Sequence, residues 1–402
     1  MNITAPNYHS PIQNTTQNCI QHRAITMKGI DKVEITQKNI NEKPTKMLFA
    51  LLSNSLNGKP IDKSVFEGAT QRDWEILFNI SRDSSVTGMA LDGAKNLPQE
   101  TIPKEIGLRM LRMQRESKER HAIQEKVLGE LSEMYAKEGI ETIQMKGIGF
   151  SMNYPEPTRR FGGDLDIFTR IKGIPSIERS STSDRVDEIM RKLGCEVSSH
   201  SKKHTEFEYK GIKVENHCFF LNKDIMNNAK PLDDFLHKSL NPRTQILPNG
   251  TKILVPSKEF NSIFIAHHAW QHYAFTGIDI HHLTDWAMQL KNGGLHIPEE
   301  AKGTQFEKFT YALTNLSNKY LGTNVKVPEN EQLENDILNK MLHPEPEKIE
   351  KRGTIDTLIY KTKRFFKKAQ RSRDLCGQSI GVAIYKSIKY HIKHPETILG
   401  KL

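Results

Sequence analysis

Two aspartates one residue apart, in the segment RRFGGDLDIF (159–168), are the residues of this chain best suited to chemistry. Side chains of a β-strand alternate between its two faces, so Asp164 and Asp166 lie side by side while the apolar residues between and after them face the core. Neighbouring carboxylates repel unless a cation lies between them, and Mg²⁺ binds carboxylates together with substrate phosphates. The pattern predicts a divalent-metal site; the alternative is a solvated strand face that carries two acids.

A third acid lies in IKVENHCFF (212–220), where Ile212 and Val214 alternate with polar residues. Glu215 therefore lies on the polar face of this second strand. Three carboxylates on neighbouring strands predict a two-metal site, whose ions hold the attacking and leaving oxygens of an in-line displacement at phosphorus.

Lys146 and Gly147 stand where a predicted strand runs into a helix. Free backbone N–H groups and the positive end of a helix accept phosphate at such a turn. This position predicts a phosphate-binding turn, and the alternative is an ordinary strand-to-helix turn with a surface lysine.

The run MKGIGFSMNYPEPTRRFGGDLDIF (145–168), followed by VENH (214–217), resembles the uncharacterised nucleotidyltransferase family within the DNA polymerase β superfamily. In that family a strand ending in Lys and Gly, then Tyr, Pro and Arg, leads to Gly, Asp, x, Asp. The resemblance covers residues 45 to 290. It implies an enzyme that moves a nucleoside monophosphate from a nucleoside triphosphate, with Mg²⁺ or Mn²⁺, to an acceptor hydroxyl on RNA, protein or a small molecule; an inactive relative that only binds nucleotide is also compatible.

The resemblance assigns roles residue by residue. It implies that the three acids are the catalytic metal ligands and that Glu215 assists in removing the acceptor proton. The chain departs from the pattern at two places, with Ile148 where the superfamily has Ser or Gly and Cys218 where the family has tryptophan. The implied residues are Asp164, Asp166 and Glu215 for metal and catalysis, and Lys146, Gly147, Arg160 and Gly163 for the nucleotide, with His217 matching the family's histidine.

The histidine-rich segment HHAWQHYAFTGIDIHHLTDWAMQL (267–290) offers a second chemistry. His268 and His272 are four residues apart, as are His281 and Asp285, so each pair can share a helix face and bind a metal. A metal-dependent hydrolase is therefore an alternative function. The family resemblance favours a helix behind the cleft instead, in which the tryptophans pack and Asp285 or a histidine lines the substrate side.

The segment KTKRFFKKAQRSR (361–373) is rich in Lys and Arg around Phe365 and Phe366. Such a segment contacts anionic lipid or the phosphates of a nucleic acid. The alternative is a solvated helix whose phenylalanines pack inward. A nucleic-acid-binding protein without catalysis is accordingly a further alternative function.

The composition of the chain bounds these interpretations. Its 402 residues, 36% of them hydrophobic, can bury a core and fill two or three domains. A net charge of +10 favours anionic partners. The four cysteines form no CxxC pair and the longest apolar run, MLFALL, is too short to span a bilayer, so we expect a soluble protein of the reducing cytoplasm without a transmembrane segment.

Four regions must position these residues. Residues 1–43 read as a mobile arm, 44–138 as a helical region, 139–256 as the nucleotidyltransferase core, and 257–402 as a second helical region. In the core, strands at ETIQM and DLDIF alternate with helices at KGIGFSMNY and SDRVDEIMRKLG, and CEVSS and a hairpin turning at Lys210 and Gly211 follow. The expected fold is α+β, a small mixed-sheet core of the polymerase β type flanked by helices.

Overall fold

The computed structural model describes residues 42–172, 179–198, 203–221, 229–343, 354–377 and 379–393, so the predicted arm lies outside the described residues except at its last two positions. A mixed β-sheet occupies the middle of this part of the chain, and helices come before and after it. The predicted fold class is therefore confirmed. The seven strands are β1 (Ile140–Gln144), β2 (Asp164–Ile171), β3 (Val197–Ser198), β4 (His204–Tyr209), β5 (Ile212–His217), β6 (Arg243–Ile246) and β7 (Lys252–Val255).

The strand order across the sheet is β3-β4-β5-β2-β1-β7-β6. The central strand β2 runs parallel to β5 and antiparallel to β1. Strands β4 and β5 form the predicted hairpin, whose turn residues Lys210 and Gly211 both have positive φ, 50° and 77°. The predicted acidic strands β2 and β5 are thus direct neighbours.

Strands β6 and β7 extend the sheet on its other side and were not predicted. They form an antiparallel hairpin, and β7 pairs with β1 in parallel at Ile143 and Leu254. The turn between them contains Gly250 with φ of 86°. This hairpin shields the edge of β1 that would otherwise be open.

Helices surround the sheet and carry recognisable ends. Thr70 and Asp73 form a capping box at the start of one, and Gly58 ends another in the left-handed conformation. The helices of the described residues are α1 (Lys43–Asn57), α2 (Gln71–Asp83), α3 (Thr87–Gly93), α4 (Lys104–Lys137), α5 (Gly147–Ser151), α6 (Arg179–Lys192), α7 (Ala229–Ser239), α8 (Lys258–Gln271), α9 (Ile280–Asn292), α10 (Gln305–Leu321), α11 (Glu331–Leu342), α12 (Thr354–Cys376) and α13 (Ile380–Lys393).

The two faces of β2 pack into different cores. Leu165 and Ile167 are fully buried against apolar residues of α4 and α6, as the alternation predicts. On the opposite face Phe168 packs against Phe220 and joins a larger core that contains residues of α1 to α3 and α8 to α11. The helices before and after the sheet therefore share one core, and the predicted limits of independent domains stay a prediction.

None of the helices in the described ranges combines the length and the apolar character needed to cross a bilayer.

Candidate functional site

The three acids of the sequence prediction lie on one face of the sheet. Asp166 on β2 lies directly opposite Glu215 on β5. Asp164 comes two residues before Asp166 on the same strand and therefore points to the same face. His217 links them, because its Nε2 lies 3.1 Å from Asp166 Oδ1 and 3.5 Å from Glu215 Oε2. Asp166 is only 4% exposed, so the alternative of a solvated strand face does not describe it.

Two lysines supply positive charge to this acidic face. Lys146 Nζ lies 3.3 Å from Asp166 Oδ2 and 3.2 Å from His268 Nε2. Lys203, the residue before β4, is partly buried and also interacts electrostatically with Asp166. Sequence reasoning identified Lys146 but missed Lys203.

His204 is a second residue that sequence reasoning missed. It is the first residue of β4, and its Nδ1 lies 3.6 Å from Glu215 Oε2 while its Nε2 lies 3.0 Å from Glu206 Oε1. His204, Glu215 and His217 bring one ligand atom each to within 4.8 Å of one another. The face therefore combines carboxylate and imidazole donors.

The surroundings of the three acids shift their pKa values in different directions. Burial alone would raise the pKa of Asp166, but the Lys146 ammonium and the hydrogen bond from His217 hold that pKa well below its usual value. Burial also opposes ionisation of Glu215, yet His217 and His204 lower the pKa of Glu215 to about 2. Burial and then repulsion by Asp166 raise the pKa of Asp164. Asp166 and Asp164 outweigh burial at Lys146 and raise the pKa of its ammonium.

The predicted strand-to-helix turn is present, its helix is short, and its role in binding phosphate stays a prediction. Gly147 has φ of 55°, which other residues rarely adopt, and a Cβ there would lie 2.9 Å from Gln144 Nε2. Gln144 Nε2 donates to the Lys146 carbonyl oxygen at 3.1 Å. Helix α5 has only five residues, fewer than the sequence predicted, so its dipole is small.

Arg160 lies in the interior rather than at an open surface. It is 3% exposed, and its Nε and Nη2 each donate to the Asp285 carboxylate at 2.7 Å. Its Nη1 donates to the Gly147 carbonyl oxygen at 3.3 Å, and Tyr154 Oη donates to Asp285 Oδ1 at 2.5 Å. Arg160 thereby ties α9 to the turn, and its predicted contact with phosphate stays a prediction.

The loop before β2 is held from α4. Arg120 Nε donates to the Gly162 carbonyl oxygen at 3.2 Å, and Gln124 Nε2 donates to the same oxygen at 3.0 Å. Gly163 has no atom within 4 Å of an added Cβ position, so the chain leaves open space beside this predicted nucleotide residue.

The histidine-rich segment keeps both predicted pairs together and adds a third histidine to one of them. His281 and Asp285 both contact Arg160, and their own separation is 3.1 Å. His268 and His272 instead cluster with His282, one ligand atom from each lying within 4.8 Å of the others. The third histidine of this cluster was not predicted.

The basic segment lies on α12, which contacts the turn after α8 through Arg371 stacked on Tyr273, 5.6 Å from its ring centre. Phe366 is 51% exposed and Phe365 is half-buried, so the two phenylalanines do not both pack inward. Contact of this segment with an anionic surface stays a prediction.

Residues 70–322 match the model of a protein family described as uncharacterised nucleotidyltransferase. This chain belongs to that family. The recognition from sequence is thereby confirmed, and the match includes all the acids, the turn and the histidine cluster of this nucleotidyltransferase family member.

A crystal structure of an antigenic nucleotidyltransferase-like protein from Paracoccidioides brasiliensis is similar to part of the chain. It is 15% identical, covers 54% of this chain and 93% of its own, and has a TM-score of 0.33. No protein with a curated description matches the chain.

Proposed function

We propose that the protein is a metal-dependent nucleotidyltransferase, which moves a nucleoside monophosphate from a nucleoside triphosphate to an acceptor hydroxyl. The observation that carries the proposal is the register of Asp166 with Glu215 on adjacent parallel strands, with Asp164 on the same face. Family membership supports the same reaction class.

The residues fit a divalent cation such as Mg²⁺. Asp166 Oδ2 is buried and faces the Lys146 ammonium at 3.3 Å, a position that a divalent cation could take over once the lysine moves to a phosphate. Carboxylate oxygens are the donors that Mg²⁺ and Mn²⁺ prefer. In this proposal Asp164, Asp166 and Glu215 are the metal ligands, and bound ions would lower the pKa of the acceptor hydroxyl and offset charge on the leaving pyrophosphate.

Glu215 is assigned as a metal ligand in this proposal. Against the effect of burial, His217 and His204 lower its pKa to about 2, so the carboxylate is ionised and able to bind a cation at neutral pH. Its assistance in removing the acceptor proton stays a prediction.

Lys146 is the phosphate-binding cation of the proposal. Its ammonium already lies on Asp166 and can exchange that partner for a phosphate oxygen of the triphosphate. The left-handed backbone conformation of Gly147 fixes the position of the lysine next to it, and Arg160 donates a hydrogen bond to the Gly147 carbonyl oxygen. Arg160 is accordingly a positioning residue.

The test is transfer of label from each α-labelled nucleoside triphosphate, with Mg²⁺ or Mn²⁺, to acceptors in a cell extract. Asp166→Asn and Glu215→Gln are compared with Glu208→Gln, which makes the same change at an exposed position of β4. We expect transfer by the wild type and by Glu208→Gln, and a loss of about 100-fold or more in the other two. Equal transfer by all four proteins would refute the proposal, and retained nucleic-acid binding without transfer would favour the non-catalytic alternative.

A further inference from the structure

Three histidines from two helices and the turn between them meet next to the acidic face. His268 is in the last turn of α8, His272 opens a π-helical turn (His272–Thr276), and His282 is in the first turn of α9. The ring centres are 4.5 Å apart for His268 and His272, 4.4 Å for His272 and His282, and 5.4 Å for His268 and His282. π-Helical turns inside or after α-helices are frequent at functional sites.

Two of the rings are oriented by their outer nitrogens. His272 Nδ1 lies 3.1 Å from the Gly277 carbonyl oxygen and 3.0 Å from Thr276 Oγ1, and the tautomer that donates to the carbonyl leaves Nε2 with a lone pair. His282 Nδ1 lies 2.9 Å from Asp279 Oδ1 and accepts from the Asp279 backbone N–H at 3.3 Å, so the cap of α9 fixes the orientation of this ring. A carbonyl or carboxylate behind each ring is the usual arrangement around metal-binding histidines.

The third ring is shared with Lys146. An ammonium only donates, so His268 Nε2 accepts from Lys146 Nζ at 3.2 Å. A cation bound to His268 Nε2 uses the lone pair that accepts from Lys146. A cation bound to His268 Nδ1 leaves the proton on Nε2, which can then no longer accept from Lys146. In both cases Lys146 loses His268 and keeps Asp166, 3.3 Å away, as its partner.

We propose that His268, His272 and His282 form a binding site for a divalent transition metal such as Zn²⁺, and that its occupancy releases Lys146 toward the acidic face. Three imidazoles favour Zn²⁺, Cu²⁺ or Ni²⁺, whereas the carboxylates of the acidic face favour Mg²⁺. The histidine cluster and the Asp164 and Asp166 carboxylates therefore differ in the ion that they select, whereas His204, Glu215 and His217 are a mixed donor set that could also take Zn²⁺. The proposal goes beyond the transfer reaction and does not depend on it.

The test is Zn²⁺ binding to metal-stripped protein, measured against a chromophoric chelator in the presence of saturating Mg²⁺. His272→Ala combined with His282→Ala is compared with wild type and with His296→Ala, which removes an exposed histidine outside the cluster. We expect one tight site in wild type and in His296→Ala, and a loss of affinity of more than about 100-fold in the double variant. Circular dichroism checks that each variant is folded, and a His272→Gln, His282→Gln protein replaces the alanine variant if that one unfolds.

Two outcomes overturn the site. One is unchanged affinity and stoichiometry in the folded double variant; the other is loss of Zn²⁺ binding in His204→Ala, which would place the ion on the acidic face. Absorption of bound Co²⁺ in the visible range gives a second readout that does not require activity.

The coupling to Lys146 has its own test. Lys146→Met removes the competing cation, so we expect Zn²⁺ to bind about 10-fold more tightly, in keeping with one hydrogen bond from a charged donor. Unchanged or weaker Zn²⁺ binding in this variant would refute the coupling. The absence of nucleotide transfer in wild type would leave these Zn²⁺ measurements unaffected, so the two proposals fail independently.

Discussion

Replacing only one partner of the Arg160–Asp285 ion pair should cause a large loss in the free energy of unfolding. Both side chains are almost completely buried, at 2% and 5% exposure, and two hydrogen bonds of 2.7 Å join them. Removing one partner leaves the other charge without compensation in the interior, which costs about 3–5 kcal/mol of the free energy of unfolding. We expect losses in this range for Arg160→Met and for Asp285→Leu.

A double-mutant cycle separates this cost from lost packing. Because the double variant contains neither charge, it should be destabilised by less than the sum of the two single changes, with a coupling of about 2–3 kcal/mol. Arg115→Met is the matched control, since Arg115 pairs with Glu119 at 2.8 Å but both side chains are exposed. Its stability should equal that of wild type within error.

The assay is chemical denaturation followed by tryptophan fluorescence at pH 7, because Trp286 is buried on the same helix as Asp285. Single variants that each lose less than about 1 kcal/mol, with additive effects, would contradict the buried-pair argument. A loss in Arg115→Met as large as in Arg160→Met would contradict it as well.

Three further predictions use other positions. Arg160 holds the pKa of Asp285 well below its ordinary value, against the effect of burial. The ionised carboxylate therefore stabilises the fold above the unfolded pKa of about 3.9, and this contribution is lost as the pH falls further. The stability difference between wild type and Asp285→Asn, measured by denaturation, should shrink below about pH 4, and a difference that grows there would contradict this prediction. Gly147→Ala should weaken nucleotide binding and lower the melting temperature, because the backbone at Gly147 has a positive φ. Gly163→Ala should leave the melting temperature unchanged, because there is open space where its Cβ would lie. Equal losses of melting temperature in the two variants would contradict this distinction. Gly93→Ala should cost about 1–3 kcal/mol in denaturation, because its Cβ would lie 2.0 Å from the Leu51 carbonyl oxygen of α1, and a neutral effect would show that the two helices separate easily.

The acidic strands could be predicted because their information is local. Alternation along DLDIF sets which side chains share a face, and the same holds for Glu215 in its own strand. The pairing of Asp166 with Glu215 is not local, since it depends on which strands become neighbours after α6 and the β4–β5 hairpin. Lys203 and His204 reach the site only through that pairing, and neither residue belongs to a sequence pattern of its own.

The hairpin of β6 and β7 had a usable signal that sequence reasoning passed over. Asn249 and Gly250 form a typical turn pair, and the Asn249 side chain accepts from the Thr251 backbone N–H at 2.9 Å. The flanking strands are only four residues long and mostly exposed on β6, so their alternation is weak.

The composition of the histidine cluster could not be obtained from spacing alone. A spacing of four residues correctly joins His268 and His272, but the π-helical turn and Gly277 end this helix before the chain reaches His282, the third histidine of the cluster. Helix α9 begins afresh at its Asp279 cap, which sets the rotation of the next helix and brings His282 to the cluster while His281 faces Arg160. A continuous helical period does not extend across such a break.

The central claim is that the three acids hold divalent cations beside the Lys146 turn. Anomalous diffraction from crystals grown with Mn²⁺ and a non-hydrolysable nucleoside triphosphate analogue tests it most directly. The account predicts Mn²⁺ bonded to Asp164, Asp166 and Glu215, with the Lys146 ammonium on a phosphate oxygen instead of on Asp166. A bound nucleotide with no Mn²⁺ at these carboxylates, and with Lys146 still paired to Asp166, would contradict it.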